Sequence, residues 1–115
     1  MGGDRRLSAR ARGILENAAN QRVVSIVSLW EIAIKISLGK LPSYGLTVIR
    51  IWEEVKRQRF ALIPVRLEDL VRMEKLPWIH RDPFDRLLIA QAQEDNVPLL
   101  TSDAQILQYP VETIW

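Results

Sequence analysis

His80-Arg81-Asp82-Pro83-Phe84-Asp85-Arg86-Leu87-Leu88-Ile89-Ala90-Gln91-Ala92, continued by Val97-Pro98-Leu99-Leu100-Thr101-Ser102-Asp103, carries the strongest local signals in this 115-residue chain. Asp82 suits an N-cap, Pro83 the first helical position, and Asp85 the third position of a capping box. A helix is therefore expected from this point to about Asp95. Residues 97–101 form a short apolar run that stops at Ser102-Asp103, the pattern of a buried strand.

The same alternation extends in both directions. Upstream lies a loop, Pro77-Trp78-Ile79-His80-Arg81, preceded by a short helix over residues 67–75 and a strand, Phe60-Ala61-Leu62-Ile63-Pro64-Val65. Residues 46–58 predict a helix with Leu46, Ile49, Trp52 and Val55 as its core stripe and Arg50, Glu53, Glu54, Lys56 and Arg57 facing water. Pro42-Ser43-Tyr44-Gly45 reads as a loop. The helix before it, residues 28–38, is apolar nearly all round, which predicts burial. Gly39 stands where a C-cap glycine belongs. Val23-Val24-Ser25-Ile26 reads as a strand, and Ser8 as the cap of a helix over residues 9–19 with Leu7, Ala11, Ile14, Leu15 and Ala18 on one face. A small helix and a short strand, Val111-Glu112-Thr113-Ile114, follow Asp103. Strands alternating with helices predict an α/β fold with a mainly parallel sheet in one domain, residues 1–115. Chemistry in such sheets gathers at the carboxyl ends of the strands.

Composition narrows the function classes. Hydrophobic residues make up 48% and charged residues 26%, a globular balance that argues against disorder. No apolar run approaches the length of a membrane span, and the N-terminal charges have no apolar stretch behind them, so neither a membrane anchor nor a secretory signal is expected. Cysteine is absent, which excludes disulfides and thiolate metal sites and fits a cytoplasmic location. The net charge of +2 tolerates an anionic partner without demanding one. There is no G-x-G-x-x-G, Walker or G-x-S-x-G pattern, so the dinucleotide, P-loop and α/β-hydrolase readings fail.

Three acids lie near strand ends within strongly apolar sequence: Glu31, Asp85 and Asp103. Burying a carboxylate in such surroundings is costly unless it gains a partner or a cation. Clustered carboxylates without thiolates suit Mg2+ or Mn2+, which can assist attack of water on a phosphodiester. Each acid also has a purely structural reading. Glu31 precedes Lys35 by four residues on a helix and can pair with it. Asp85 can complete a capping box, and Asp103 can cap the short helix after it. His80 and Arg81 can meet phosphate or simply line the surface, and Arg86 can meet phosphate or neutralise the neighbouring acids. Ser28 shares the polar stripe of Glu31 and Lys35. Trp78, in the loop, is a candidate for stacking on a base, whereas Trp30 and Trp52 read as core.

Ser28-Leu29-Trp30-Glu31-Ile32-Ala33-Ile34-Lys35, ending in Leu38-Gly39-Lys40-Leu41, resembles the second conserved block of VapC-type PIN domains. The segment 80–92 resembles the third block. Leu99-Leu100-Thr101-Ser102-Asp103 resembles the fourth, with Ser102 where the family usually has arginine. Arg6-Leu7-Ser8-Ala9-Arg10-Ala11-Arg12 is similar to the start of the family's first helix. The resemblance implies a three-layer α/β/α domain that gathers acids round Mg2+ or Mn2+ and hydrolyses RNA. It makes Glu31, Asp85 and Asp103 the second, third and fourth acids, with metal-binding and catalytic roles. It further implies a toxin of a toxin–antitoxin pair, a cognate antitoxin protein and a homodimer. The family opens with an apolar strand ending in an aspartate, and nothing here matches it. The first, central strand and its acid are therefore expected to be missing from this chain. The alternative expectation is an inactive truncated PIN remnant that at most binds an antitoxin.

Overall fold

Short strands run almost directly into helices. In the computed structural model, which describes residues 8–41, 45–101 and 103–115, strand β1 (Val23–Ser25) passes into helix α2 (Ile26–Ser37) without a loop. Ser25 makes that join possible: its Oγ accepts the Val27 N–H at 3.1 Å and caps the helix. Ile26, expected in the strand, therefore begins the helix. Before them, α1 (Ala9–Glu16) is capped by Ser8 as expected and ends earlier than its apolar pattern, at Asn17. Leu7 and the loop residues Pro42, Ser43 and Tyr44 lie outside the described residues.

The remaining elements are α3 (Val48–Arg57), β2 (Ala61–Ile63), α4 (Leu67–Glu74), α5 (Pro83–Asp95), β3 (Leu99–Leu100), a 3-10 turn (Ile106–Gln108) and β4 (Thr113–Ile114). Both strand pairings are parallel. β1 pairs with β2 in the register Val24 opposite Leu62, and β3 with β4 in the register Leu100 opposite Ile114. The α/β class and the parallel pairing follow the sequence expectation. No helix among the described residues is long and apolar enough to cross a membrane.

The chain divides into two compact units, residues 1–20 with 66–115, and residues 21–65. In the first, α4 packs on α5. The core is built from Leu76, Ile89, Ala90, Ile106 and Tyr109, with Met73, Leu99 and Val111 packed against it. Helix α5 is buried along most of its length, Arg86 and Gln91 included.

The second unit corrects two expectations. Helix α2 buries only Val27 and Leu29, and Trp30 is 54% exposed. A helix that is apolar all round specifies no inward face by pattern, so packing on the short β1–β2 pair and on α3 selects the face. Helix α3 starts at Val48, and its half-buried residues are Val48, Ile51, Trp52 and Val55, whereas Leu46 and Ile49 are exposed. Trp30, Trp52 and Ile49 line a shallow apolar groove of about 290 Å³ between α2 and α3, so neither tryptophan is fully enclosed.

Candidate metal centre at the start of helix α5

The first turn of α5 is fixed by its own sequence. Asp82 Oδ1 accepts the N–H groups of Phe84 at 2.9 Å and Asp85 at 3.3 Å, and Pro83 has no N–H that would need an acceptor. Asp85 is thereby held in the first helical turn with its carboxylate half-buried. Its Oδ2 lies 2.8 Å from His80 Nε2. The loop that carries His80 is pinned by Tyr109, whose hydroxyl accepts the His80 backbone N–H at 2.8 Å.

Asp103 reaches the same place from the end of β3. Its backbone N–H donates to Thr101 Oγ1 at 3.0 Å, and its Oδ1 accepts the Gln105 N–H at 2.9 Å. This contact is a local turn and not the cap foreseen for Asp103, because the 3-10 turn at Ile106–Gln108 begins after Gln105 with no side-chain cap. One donor atom from each of His80, Asp85 and Asp103 lies within 4.8 Å of the other two, and all three residues are half-buried. The two carboxylates, with no thiolate near them, suit Mg2+ or Mn2+, and the imidazole, a poor donor for Mg2+, is placed 2.8 Å from Asp85 Oδ2 where it can orient that carboxylate.

The other expected residues are placed as follows. Glu31 lies on α2 in the second unit, where its carboxylate is 3.3 Å from Lys35 Nζ, so the local pairing open to it is formed. Ser28 is half-buried on the same helix, and Arg81 is exposed next to His80. Arg86 is turned inward and only 3% exposed. Its guanidinium donates to the carbonyls of Pro77 at 2.7 Å, Met73 at 3.2 Å and Leu76 at 3.3 Å, and to the Tyr109 hydroxyl at 3.3 Å. It also lies 3.8 Å from the centroid of the Trp78 ring. Arg86 therefore organises the loop that presents His80.

Sequence reasoning did not single out Tyr109. It joins His80 and Arg86 from 29 and 23 residues away, and no local pattern announces such a contact. A second network was also missed. Asp69 is completely buried and is bound by Arg66 at 2.9 Å and Gln91 at 3.2 Å, while Arg66 also reaches Asp95 at 2.7 Å. Burial pushes the Asp69 carboxyl up, but the hydrogen bonds from the Arg66 side chain and backbone and from Gln91 outweigh it and hold it below its usual value. The sequence hint was Arg66-Leu67-Glu68-Asp69, in which the acid at the third helical position returns to the Arg66 N–H at 2.9 Å.

Neither the curated proteins nor the solved structures provide a match. The family model of the PIN domain matches residues 1–112, nearly the whole chain and all three residues of the cluster. The chain belongs to the PIN-domain family, a family of nucleases that generally use divalent metal ions.

Proposed function

We propose that this protein is a Mg2+- or Mn2+-dependent endoribonuclease of the VapC toxin type. The observation that carries the proposal is the convergence of His80, Asp85 and Asp103 on one point from a loop, a helix start and a strand end. Asp85 and Asp103 would hold the ion, with Glu31 as the further acid implied by the resemblance of its block. A bound divalent ion supplies Lewis acidity for attack of water on a phosphodiester and charge neutralisation at the leaving oxygen.

The chain's own residues supply orientation. The Asp82 cap and the buried surface of α5 keep Asp85 in place, and Tyr109 with Arg86 keeps the His80 loop in place. Preorganised side chains of this kind avoid reordering during the reaction. Arg81 is an exposed cation beside the cluster, suited to a neighbouring phosphate. The toxin setting, with a cognate antitoxin protein, a homodimer and a cytoplasmic location, rests on the resemblance of the three acidic blocks.

The test is cleavage of an end-labelled single-stranded RNA by the purified chain with Mg2+ or Mn2+. Cutting should stop in EDTA and in Asp85→Asn. Cleavage that continues in EDTA would remove the metal mechanism, and cleavage unaffected in Asp85→Asn would remove the site.

A further inference from the structure

Trp78 is 76% exposed, in the loop that leads into the His80–Asp85–Asp103 cluster. A tryptophan left this open exposes a large apolar surface with no return from folding. Its ring is nevertheless fixed. The Arg86 guanidinium lies 3.8 Å from the ring centroid. That guanidinium is in turn held by three backbone carbonyls and the Tyr109 hydroxyl. A buried cation thus braces the indole from one side while the rest of the ring remains open to solvent. His80 follows two residues later, so the two Cα atoms are at most about 7 Å apart. Tyr109 ties both ends of this short segment, through the His80 N–H and through Arg86.

We propose that Trp78 is a stacking platform for one unpaired base of single-stranded RNA, positioned next to the phosphate handled by the cluster. The inference rests on the ribonuclease reading and adds the element that selects single strands. A base inside a duplex has both faces occupied, whereas an unpaired base offers a face to the ring. A nucleotide with its phosphate at the cluster has a base within reach of that ring. Arg81, exposed between the platform and Asp82, suits the backbone charge of the same strand. The arrangement favours a nucleic acid over a protein partner because the ring stands beside a metal-ligand set and a cation, with only the small exposed surfaces of Pro77 and Ile79 as apolar neighbours in its own loop.

The test measures binding in EDTA, so its outcome does not depend on cleavage. The full-length protein is titrated with a uridine hexanucleotide and with an abasic ribose-phosphate hexamer of equal charge. Trp78→Leu keeps an apolar cover over Arg86 but removes the π-face, and Trp78→Phe keeps a smaller π-face. Trp78→Leu should weaken hexanucleotide binding by about five- to a hundredfold, the range for losing one base stack. Trp78→Phe should stay within about threefold of the parent, because a stacking face remains. The abasic hexamer should bind all three proteins alike. Unchanged hexanucleotide affinity in Trp78→Leu overturns the platform and leaves Trp78 as a contact for protein. Equal losses for the base-bearing and abasic hexamers also overturn it, because the ring would then act only through the fold. Failure of the nuclease reading shows separately, as absent cleavage with Mg2+ or Mn2+ while base-dependent binding persists.

Discussion

His80 Nε2 lies 2.8 Å from Asp85 Oδ2, with Asp103 close enough to complete a three-donor set. The histidine is therefore placed either to share an ion with Asp85 or to orient the carboxylate that binds it. Both tasks strengthen metal binding, and loss of such an orienting partner typically costs ten- to a hundredfold in affinity. His80→Ala is expected to weaken Mn2+ binding about tenfold, and Asp85→Asn more strongly, because it removes a ligand outright. Calorimetric titration of Mn2+ into the full chain reads both. Unchanged affinity in His80→Ala would show that the imidazole contributes nothing to the site.

Arg86 is the next residue whose removal should be felt. Replacing it by Met keeps much of its volume but leaves the carbonyls of Met73, Leu76 and Pro77 without this donor in a largely buried place. Hydrogen bonds to a charged group contribute about 1.5–3 kcal/mol each, and their loss is only partly offset by water. A destabilisation of about 3 kcal/mol is expected, or roughly 10 °C in melting temperature for a chain of this size. Arg86→Lys should recover only part of it, since a single ammonium lacks the planar fork that serves several acceptors. Thermal melts followed by circular dichroism decide the matter; an Arg86→Met protein that melts with the parent contradicts a structural task for Arg86.

Local signals in the sequence were read well where a few adjacent residues determine the outcome. Asp82-Pro83 places the start of α5, and the helix ends at Asp95 as expected. Gly39 takes φ +69° and closes α2 with the bonds Gly39 N–H to Ile36 O and Lys40 N–H to Lys35 O. Asp85 and Asp103 were legible as candidates because a helix start and a strand end are themselves local features. What escaped was set by distant contacts. The inward turn of Arg86 depends on Tyr109 and on the carbonyls of the 73–77 segment, and the burial of Asp69 depends on Gln91, 22 residues away. The inward face of α3 was misassigned because Leu46 and Ile49 are as apolar as Val48 and Ile51, so helical periodicity alone offers two stripes.

Asp69 predicts a pH dependence with a definite sign. Its carboxyl is held below 3.8 in the folded chain, while the unfolded chain has about the ordinary value. The unfolded state then binds the proton more readily. The stabilisation is fully present above 3.8 and is lost as pH falls below it through the lowered folded value. Asp69→Asn should lower the melting temperature at neutral pH, because Arg66 loses its buried partner, and should flatten the acid limb of a plot of stability against pH. Parallel acid limbs for the two proteins would assign the acid sensitivity to other carboxylates.

Arg59 and Asn96 provide a matched pair for a backbone prediction. Both end a helix with positive φ, 64° and 54° respectively. After α3, the Arg59 N–H reaches Lys56 O at 2.9 Å and the Phe60 N–H reaches Val55 O at 3.3 Å, the pattern that glycine usually completes. A side chain in the left-handed region costs about 1–2 kcal/mol, less for asparagine, which enters it more readily. Glycine removes that strain but adds freedom to the unfolded chain, worth about 0.4–1 kcal/mol in the opposite direction. Arg59→Gly should therefore gain about 0.5–1 kcal/mol, some 2–4 °C in melting temperature. Asn96→Gly should gain less or nothing, because the strain it relieves is smaller. A melting temperature that falls in Arg59→Gly would mean that the Arg59 side chain contributes more than its backbone strain costs.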